Sequence, residues 1–246
     1  MNTRNYADIL GARVDLVNTR ESLERIRSFI VNQQSAHVIT LNAEIVYQAQ
    51  NDPELLKIIN GADLVTPDGI GIVWAGRRLG YPFEERVSGI DLLYLICEQA
   101  ARENWKIYLL GAAPGIADEA ACQLAQKYPG INICGTHNGY FPAEQQQALI
   151  EEIKGLQPDV LFVALGAPGQ EYWINKFRHV LAVPVAIGVG GSFDVIAGIK
   201  SRAPEWMIKA NLEWLYRLLK EPSRFKRQLA LPKFVLLILR RSLNNN

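Results

Sequence analysis

The stretch "TPDGIGIV", residues 66–73, sets a carboxylate between a proline and two glycines, directly after the apolar run "ADLV". An aspartate in such a turn has two uses. It can cap a following helix by accepting a backbone N–H, or it can stand at the mouth of a site and accept a proton from a reacting hydroxyl. Other polar residues fall at equivalent places, each just beyond a short apolar run. Thr40 and Asn42 follow "HVI", Gln170 closes "LGAPGQ", and Gly190, Gly191, Ser192 and Asp194 lie in "GVGGSFD". Taken singly, Asn42, Asp68 and Ser192 read as helix caps. Their gathering at the ends of apolar runs reads as a site, with glycines that let backbone approach a ligand closely.

The ligand class is narrowed by what these turns lack. "GVGGS" offers successive backbone N–H groups ahead of a helix, a cradle suited to a diphosphate. Phe193 stands where the third glycine of GxGxxG belongs, and no GxxxxGK[ST] occurs. A dinucleotide-dependent oxidoreductase is therefore disfavoured and a Walker-type phosphate loop is excluded. His37, His137 and His179 show no metal-ligand spacing, and Cys97, Cys122 and Cys134 form no CxxC pair. No D-x-D pair is present with which a sugar-nucleotide enzyme would hold a divalent cation. If a nucleotide diphosphate binds, arginine and lysine must offset its charge; no metal or other cofactor is expected.

Those cations are unevenly placed. Residues 1–199 carry 15 Lys and Arg against 22 Asp and Glu, whereas residues 200–246 carry 11 against 3. An acidic body with a basic tail rich in Trp and Leu suggests an anionic partner: a membrane surface, a nucleic acid or a diphosphate. Arg217, Arg224 and Arg227 are the tail's candidates for diphosphate oxygens. The apolar run "FVLLIL" is too short to span a bilayer, and the polar start "MNTRNYADILGARVD" has no apolar signal-peptide core. These features set the expectation of a cytoplasmic chain with reduced thiols.

The elements that must position these residues are legible as alternating patterns. "HVITL", "ADLVT", "KIYLLG", "INICG", "DVLFVALG" and "VPVAIGVG" read as strands. Between them run helical patterns such as "SGIDLLYLICEQAAREN", "PGIADEAACQLAQKY" and "PAEQQQALIEEIKG". Asn18 and Glu21 form a variant capping box ahead of Leu23, Ile26 and Phe29. The expected fold class is α/β: a mainly parallel sheet with helices on both faces, over residues 1–195. Residues 196–246 are expected to form a basic helical appendage. In it, Pro204 opens one helix that closes before Pro222, and a second helix is interrupted near Pro232. In an open parallel sheet ligands bind beyond the carboxyl ends of the strands, where the polar residues above fall.

The motifs "LNAEIV", "TPDGIGIVWA", "ERVSGIDL", "IYLLGA", "GTHNGYF", "VALGAPGQE", "GVGGSFDVIAG" and "LEWLYRLLKEPSRFKRQ", in this order across residues 10–232, resemble the WecG/TagA/CpsF glycosyltransferases. The resemblance implies a Rossmann-like, inverting, metal-independent enzyme, peripheral on the inner face of the cell membrane. It implies a UDP-sugar donor and an undecaprenyl-diphosphate-linked N-acetylglucosamine acceptor. The sequence looks closest to the TagA-like branch, which transfers N-acetylmannosamine for the wall teichoic acid linkage unit; the corresponding uronic acid is the alternative donor. Asp68 matches the family's catalytic aspartate. Thr40 and Asn42 match its sugar pocket, Arg86 a phosphate contact near donor or acceptor, and Gln170 a sugar or diphosphate contact. Gly190, Gly191 and Asp194 would meet the uridine, with capping as the alternative for Asp194. Arg217, Arg224 and Arg227 match arginines for the leaving diphosphate or for anionic lipid. Gly169 departs from the family pattern, which commonly has lysine there. Trp214 is expected to pack on the body and the last helix to touch the membrane, so that docking of the tail completes the site. Homo-oligomerisation through an exposed apolar tail is a further expectation, and a nucleic-acid partner is not expected. The rival readings from the residues are the oxidoreductase and a non-enzymatic membrane or nucleic-acid adaptor.

Overall fold

The computed structural model describes residues 6–221, 225 and 229–244. A short hairpin, β1 (Tyr6–Ile9) and β2 (Ala12–Asp15), is followed by α1 (Thr19–Val31), β3 (Ala36–Leu41), α2 (Ala43–Ala49), α3 (Pro53–Gly61) and β4 (Leu64–Pro67). The chain continues through α4 (Ile70–Arg78), α5 (Gly89–Glu103), β5 (Lys106–Gly111), α6 (Ile116–Lys127), β6 (Asn132–His137), α7 (Gln146–Leu156), β7 (Val160–Ala164), α8 (Gly169–Leu181) and β8 (Val185–Gly188). It closes with α9 (Ser192–Ile196), α10 (Glu205–Lys209), α11 (Glu213–Lys220) and α12 (Ala230–Asn244). The six strand patterns read from sequence all form strands. They make one parallel sheet in the order β4-β3-β8-β7-β5-β6, the Rossmann-like α/β arrangement expected.

Alternation along the strands sorts side chains into two layers. Val38, Leu64, Ile107, Leu109, Phe162 and Ile187 face one layer, packed under α1, α5, α6 and α9. Ile39, Leu41 and Val65 face the other, where α2, α3, α4 and α12 cover them. Farther along that second face, Tyr108, Leu110, Leu161 and Val163 meet α7 and α8. At the start of α1, Asn18 Oδ1 accepts from the Glu21 N–H at 2.9 Å, and Glu21 Oε2 accepts from the Asn18 N–H at 3.1 Å. The expected capping box is formed.

Three local features differ from the sequence reading. First, the β1–β2 hairpin was not expected. It covers the outer edge of β4: Asp15, fully buried, accepts from the Val65 N–H at 2.8 Å and pairs with Arg13 and Arg25. An otherwise open sheet edge is thereby protected. Second, the stretch after Pro204 is not one helix. α10 and α11 are separated at Asn211, whose φ of 59° lies in the left-handed region that ends helices. Third, the break expected near Pro232 falls at Leu229, a turn residue just ahead of α12, and Pro232 sits in the first turn of that helix, where no intrahelical N–H is required; residues 222–224 and 226–228 of the expected helix lie outside the described residues. α12 lays Phe234 and Ile238, 1% and 0% exposed, into the layer formed by α2 and α4. Among the described residues no helix is long and apolar enough to cross a membrane.

Candidate active site

Asp68 follows the last residue of β4, and its N–H donates to Leu41 O at 2.9 Å, which fixes it beside the end of β3. The N-cap of α4 is Gly69, at φ 85°, and it makes no side-chain cap. Asp68 is therefore not the cap of the helix that follows it. Its Oδ2 instead accepts from the N–H of Gly89, the first residue of α5, at 3.4 Å. A Val87 N–H to Pro67 O bond of 2.9 Å holds the loop before α5 against the end of β4. Gly89 makes this convergence possible, because a Cβ there would lie 3.1 Å from Thr40 Oγ1 and 3.4 Å from Asp68 Oδ2. Enclosure by protein pushes the Asp68 carboxyl up to about 6; Arg217, the Gly89 N–H and Arg86 pull it down, and Glu213 pushes it up. Such a group is largely ionised at neutral pH yet more basic than an ordinary aspartate, as a general base should be.

The cations beside it come from two parts of the chain. Arg86, in the loop before α5, and Arg217, on α11, both bind Glu213, at 3.2 Å and 2.8 Å. The Arg86–Glu213 pair is not an exposed surface pair: its side chains are only 18% and 10% exposed. Glu213 was not singled out in the sequence, although its i,i+4 spacing to Arg217 was the available signal. Burial opposes its ionisation, but Arg217, Arg86 and Arg202 hold it below the usual carboxylate range. Arg224 and Arg227 lie outside the described residues.

On the far side of Thr40, the β8–α9 turn is shaped by Gln170. The amide of Gln170, 3% exposed, accepts from the Gly190 N–H at 3.0 Å and donates to Glu171 Oε1 at 2.9 Å. A Cβ on Gly188 would meet Gln170 Nε2 at 2.3 Å, so glycine is required for the close approach. Burial pushes Glu171 up to about 7, against the pull of the Gln170 amide and of its own backbone N–H. Gly190 has φ 54°, and Gly191 is the N-cap of α9. Thr40 Oγ1 donates to Gly188 O at 3.3 Å. Asn42 caps α2 through the Ile45 N–H at 3.0 Å, so its capping reading holds while it also lines the cavity. Asp194 lies within 3.5 Å of Lys200 Nζ, a second lysine contact reaching Glu221 at 3.4 Å. Lys200 was another residue the sequence reading passed over.

Thr40, Asn42, Asp68, Arg86, Gln170, Gly190, Gly191, Asp194 and Arg217 all border one cavity of about 1590 Å³ above the carboxyl ends of the strands. Trp74, Leu218, Phe225, Leu231 and Val235 are among the apolar side chains that line it. Trp214, expected to pack on the body, also borders it and is 42% exposed. Among the described residues no group of three or more His, Cys, Asp or Glu could hold a metal ion. The arrangement can take a proton at Asp68, bind an anion at Arg86 and Arg217, and receive a polar ring among Thr40, Asn42 and the glycine turn.

Known proteins resemble the chain in sequence over nearly its whole length. The sequence profile of the Glycosyl transferase WecG/TagA/CpsF family matches residues 7–246. The N-acetylglucosaminyldiphosphoundecaprenol N-acetyl-beta-D-mannosaminyltransferase of Bacillus spizizenii is 37% identical over 213 residues, 87% of this chain and 82% of the relative. The enzyme of the same name from Bacillus subtilis is 35% identical over 244 residues, 99% of this chain and 94% of the relative. That from Staphylococcus aureus strain MW2 is 36% identical over 230 residues, 93% and 90% of the two chains. With a profile match over residues 7–246 and relatives 35–37% identical over most of their length, the chain belongs to the WecG/TagA/CpsF family of glycosyl transferases.

Proposed function

We propose that this enzyme transfers N-acetylmannosamine, with inversion, from a UDP donor to N-acetylglucosamine carried on undecaprenyl diphosphate, the linkage-unit step of wall teichoic acid synthesis. The reading rests on one observation: a carboxyl raised to about 6, Asp68, faces two guanidiniums, Arg86 and Arg217, in one cavity. The names of the relatives supply the acceptor and the sugar.

In this scheme the acceptor hydroxyl attacks the anomeric carbon while Asp68 takes its proton. The bond to the UDP oxygen breaks, and its electron pair leaves with the diphosphate. A carboxylate base contributes roughly 100- to 10,000-fold to such a step. Arginine forks match diphosphate oxygens and keep their charge at any working pH; Arg217, joined by Arg224 and Arg227, takes the leaving group in place of a metal. Thr40 and Asn42 bind the sugar, Gly190, Gly191 and Asp194 bind uridine, and Gln170 holds the glycine turn in shape. Residues 1–195 form the catalytic body. Residues 196–246 are an appendage that completes the site and rests on the anionic inner face of the cell membrane through exposed Trp206, Leu219, Leu236 and Leu243 and their basic neighbours. Pairing of such apolar tails in the absence of lipid would give a homo-oligomer.

The test is transfer from UDP-N-acetylmannosamine, in EDTA, to a lipid-linked N-acetylglucosamine diphosphate, beside a reaction with the uronic acid donor. Disaccharide from the first donor is the expected result. Product from the uronic acid alone would reassign the donor, and product from neither would refute the reading. UDP should also raise the melting temperature where NAD does not.

A further inference from the structure

We propose that Glu213 is a positioning residue of this site: its buried carboxylate ties Arg86 of the body to Arg217 of the C-terminal segment, sets both guanidiniums beside Asp68 and offsets their charge. The inference rests on the transfer reaction proposed above. Glu213 is 8% exposed, on a helix whose Trp214 and Leu219 are 42% and 69% exposed. A helix that only needed an inward anchor would bury the leucine, since a buried carboxylate is costly unless paired. Here it is paired twice, to Arg217 one turn along the same helix and to Arg86, 127 residues earlier in the chain. Each arginine has five N–H donors, so one bond to Glu213 fixes a fork without exhausting it.

The charge balance matters as much as the tether. Asp68 faces Arg217 and Glu213 from α11, Arg86 from the loop before α5 and the N–H of Gly89 at the start of α5, and Thr40 of β3 borders the same cavity. Among the described residues, the other ionisable groups bordering the cavity are Glu44, Tyr140, Asp194, Lys200 and Glu221. Two uncompensated guanidiniums would make Asp68 a weaker base and would grip a diphosphate before the reaction as firmly as during it, which binds substrate without speeding transfer. A carboxylate between them reduces both effects.

The experiment compares the full chain with Glu213→Gln, which keeps size and one acceptor but loses the charge, and Glu213→Asp, which keeps the charge. Asp68 is titrated by carboxyl ¹³C NMR, its resonance assigned by its absence from Asp68→Asn, so that no substrate is needed. The Glu213→Gln midpoint is expected about half a pH unit or more below wild type, with Glu213→Asp close to wild type. In the transfer assay Glu213→Gln should show a lower KM for the donor and a several-fold lower kcat, and the acid limb of kcat/KM should move with the NMR midpoint. An unmoved Asp68 midpoint would overturn the proposal, as would equal loss of activity in both variants with KM unchanged. If wild type transfers no sugar, the proposed function fails, and the NMR titration still decides the role of Glu213.

Discussion

A residue placed for catalysis is often placed at some cost to the fold, and Asp68 shows how that cost can be measured. Its carboxyl is raised from 3.8 to about 6. Between those pH values the native protein keeps a proton that the unfolded chain has released, so the Asp68 contribution falls as pH rises through the window. Asp68→Asn should therefore be more stable than wild type at pH 7.5, by about 1–2 kcal/mol, with the gap closing toward pH 4. Urea unfolding midpoints at the two pH values check this. The sequence marked Asp68 as important but left cap and base open, because Pro-Asp-Gly suits both. The structure removes the cap of α4 from the choice, since Gly69 holds that position without any side-chain bond. Glu213 was missed for a different reason. An i,i+4 Glu–Arg pair on a basic amphipathic helix looks like an ordinary solvent-exposed pair, and nothing local says that this one turns inward to meet Arg86.

At the scale of elements, the start of α5 is a close fit against Thr40 and Asp68. Alanine at Gly89 would be a better helix former and its backbone has no need of glycine, yet its Cβ would press on Thr40 Oγ1 at 3.1 Å. Gly89→Ala should keep its melting temperature within a few degrees while kcat falls about tenfold or more, because displacing reacting groups by a fraction of an ångström is expensive in rate. A matching loss of stability and activity would contradict that account. The six sheet strands were legible because each is a continuous apolar run bounded by turn residues. The β1–β2 hairpin was not. Its strands are four residues each, and its turn uses Leu10 at φ 55° with Gly11 at φ 86° instead of the Asn-Gly or Asp-Gly that announces such turns. The break between α10 and α11 was hidden in the same way, by one left-handed Asn211 inside a sustained helical pattern.

For the molecule as a whole, the site joins an acidic body to a basic tail. The tail is fastened by Arg202 to Asp91, Lys200 to Asp194, Glu213 to Arg86, and by Phe234 and Ile238 in the core. A chain ending at residue 202 keeps the entire parallel sheet but loses Glu213, Arg217 and the α12 cover over α2 and α4. It should still unfold cooperatively, at a lower temperature, and retain about one hundredth of the transfer rate or less. Full activity would show that the tail is dispensable to the chemistry. The sequence announced the tail's charge and set the expectation that it docks, but not the contacts that hold it, because Arg86–Glu213 and Asp91–Arg202 join residues more than a hundred positions apart. The central claim, that Asp68 is the base of the transfer, is tested most directly by the pH dependence of kcat/KM for wild type and Asp68→Asn with the UDP-sugar donor in EDTA. The account predicts a wild-type acid limb near pH 6 and a rate in Asp68→Asn lower by about 100-fold or more at every pH. An Asp68→Asn enzyme of near-wild-type rate with the same limb would contradict it.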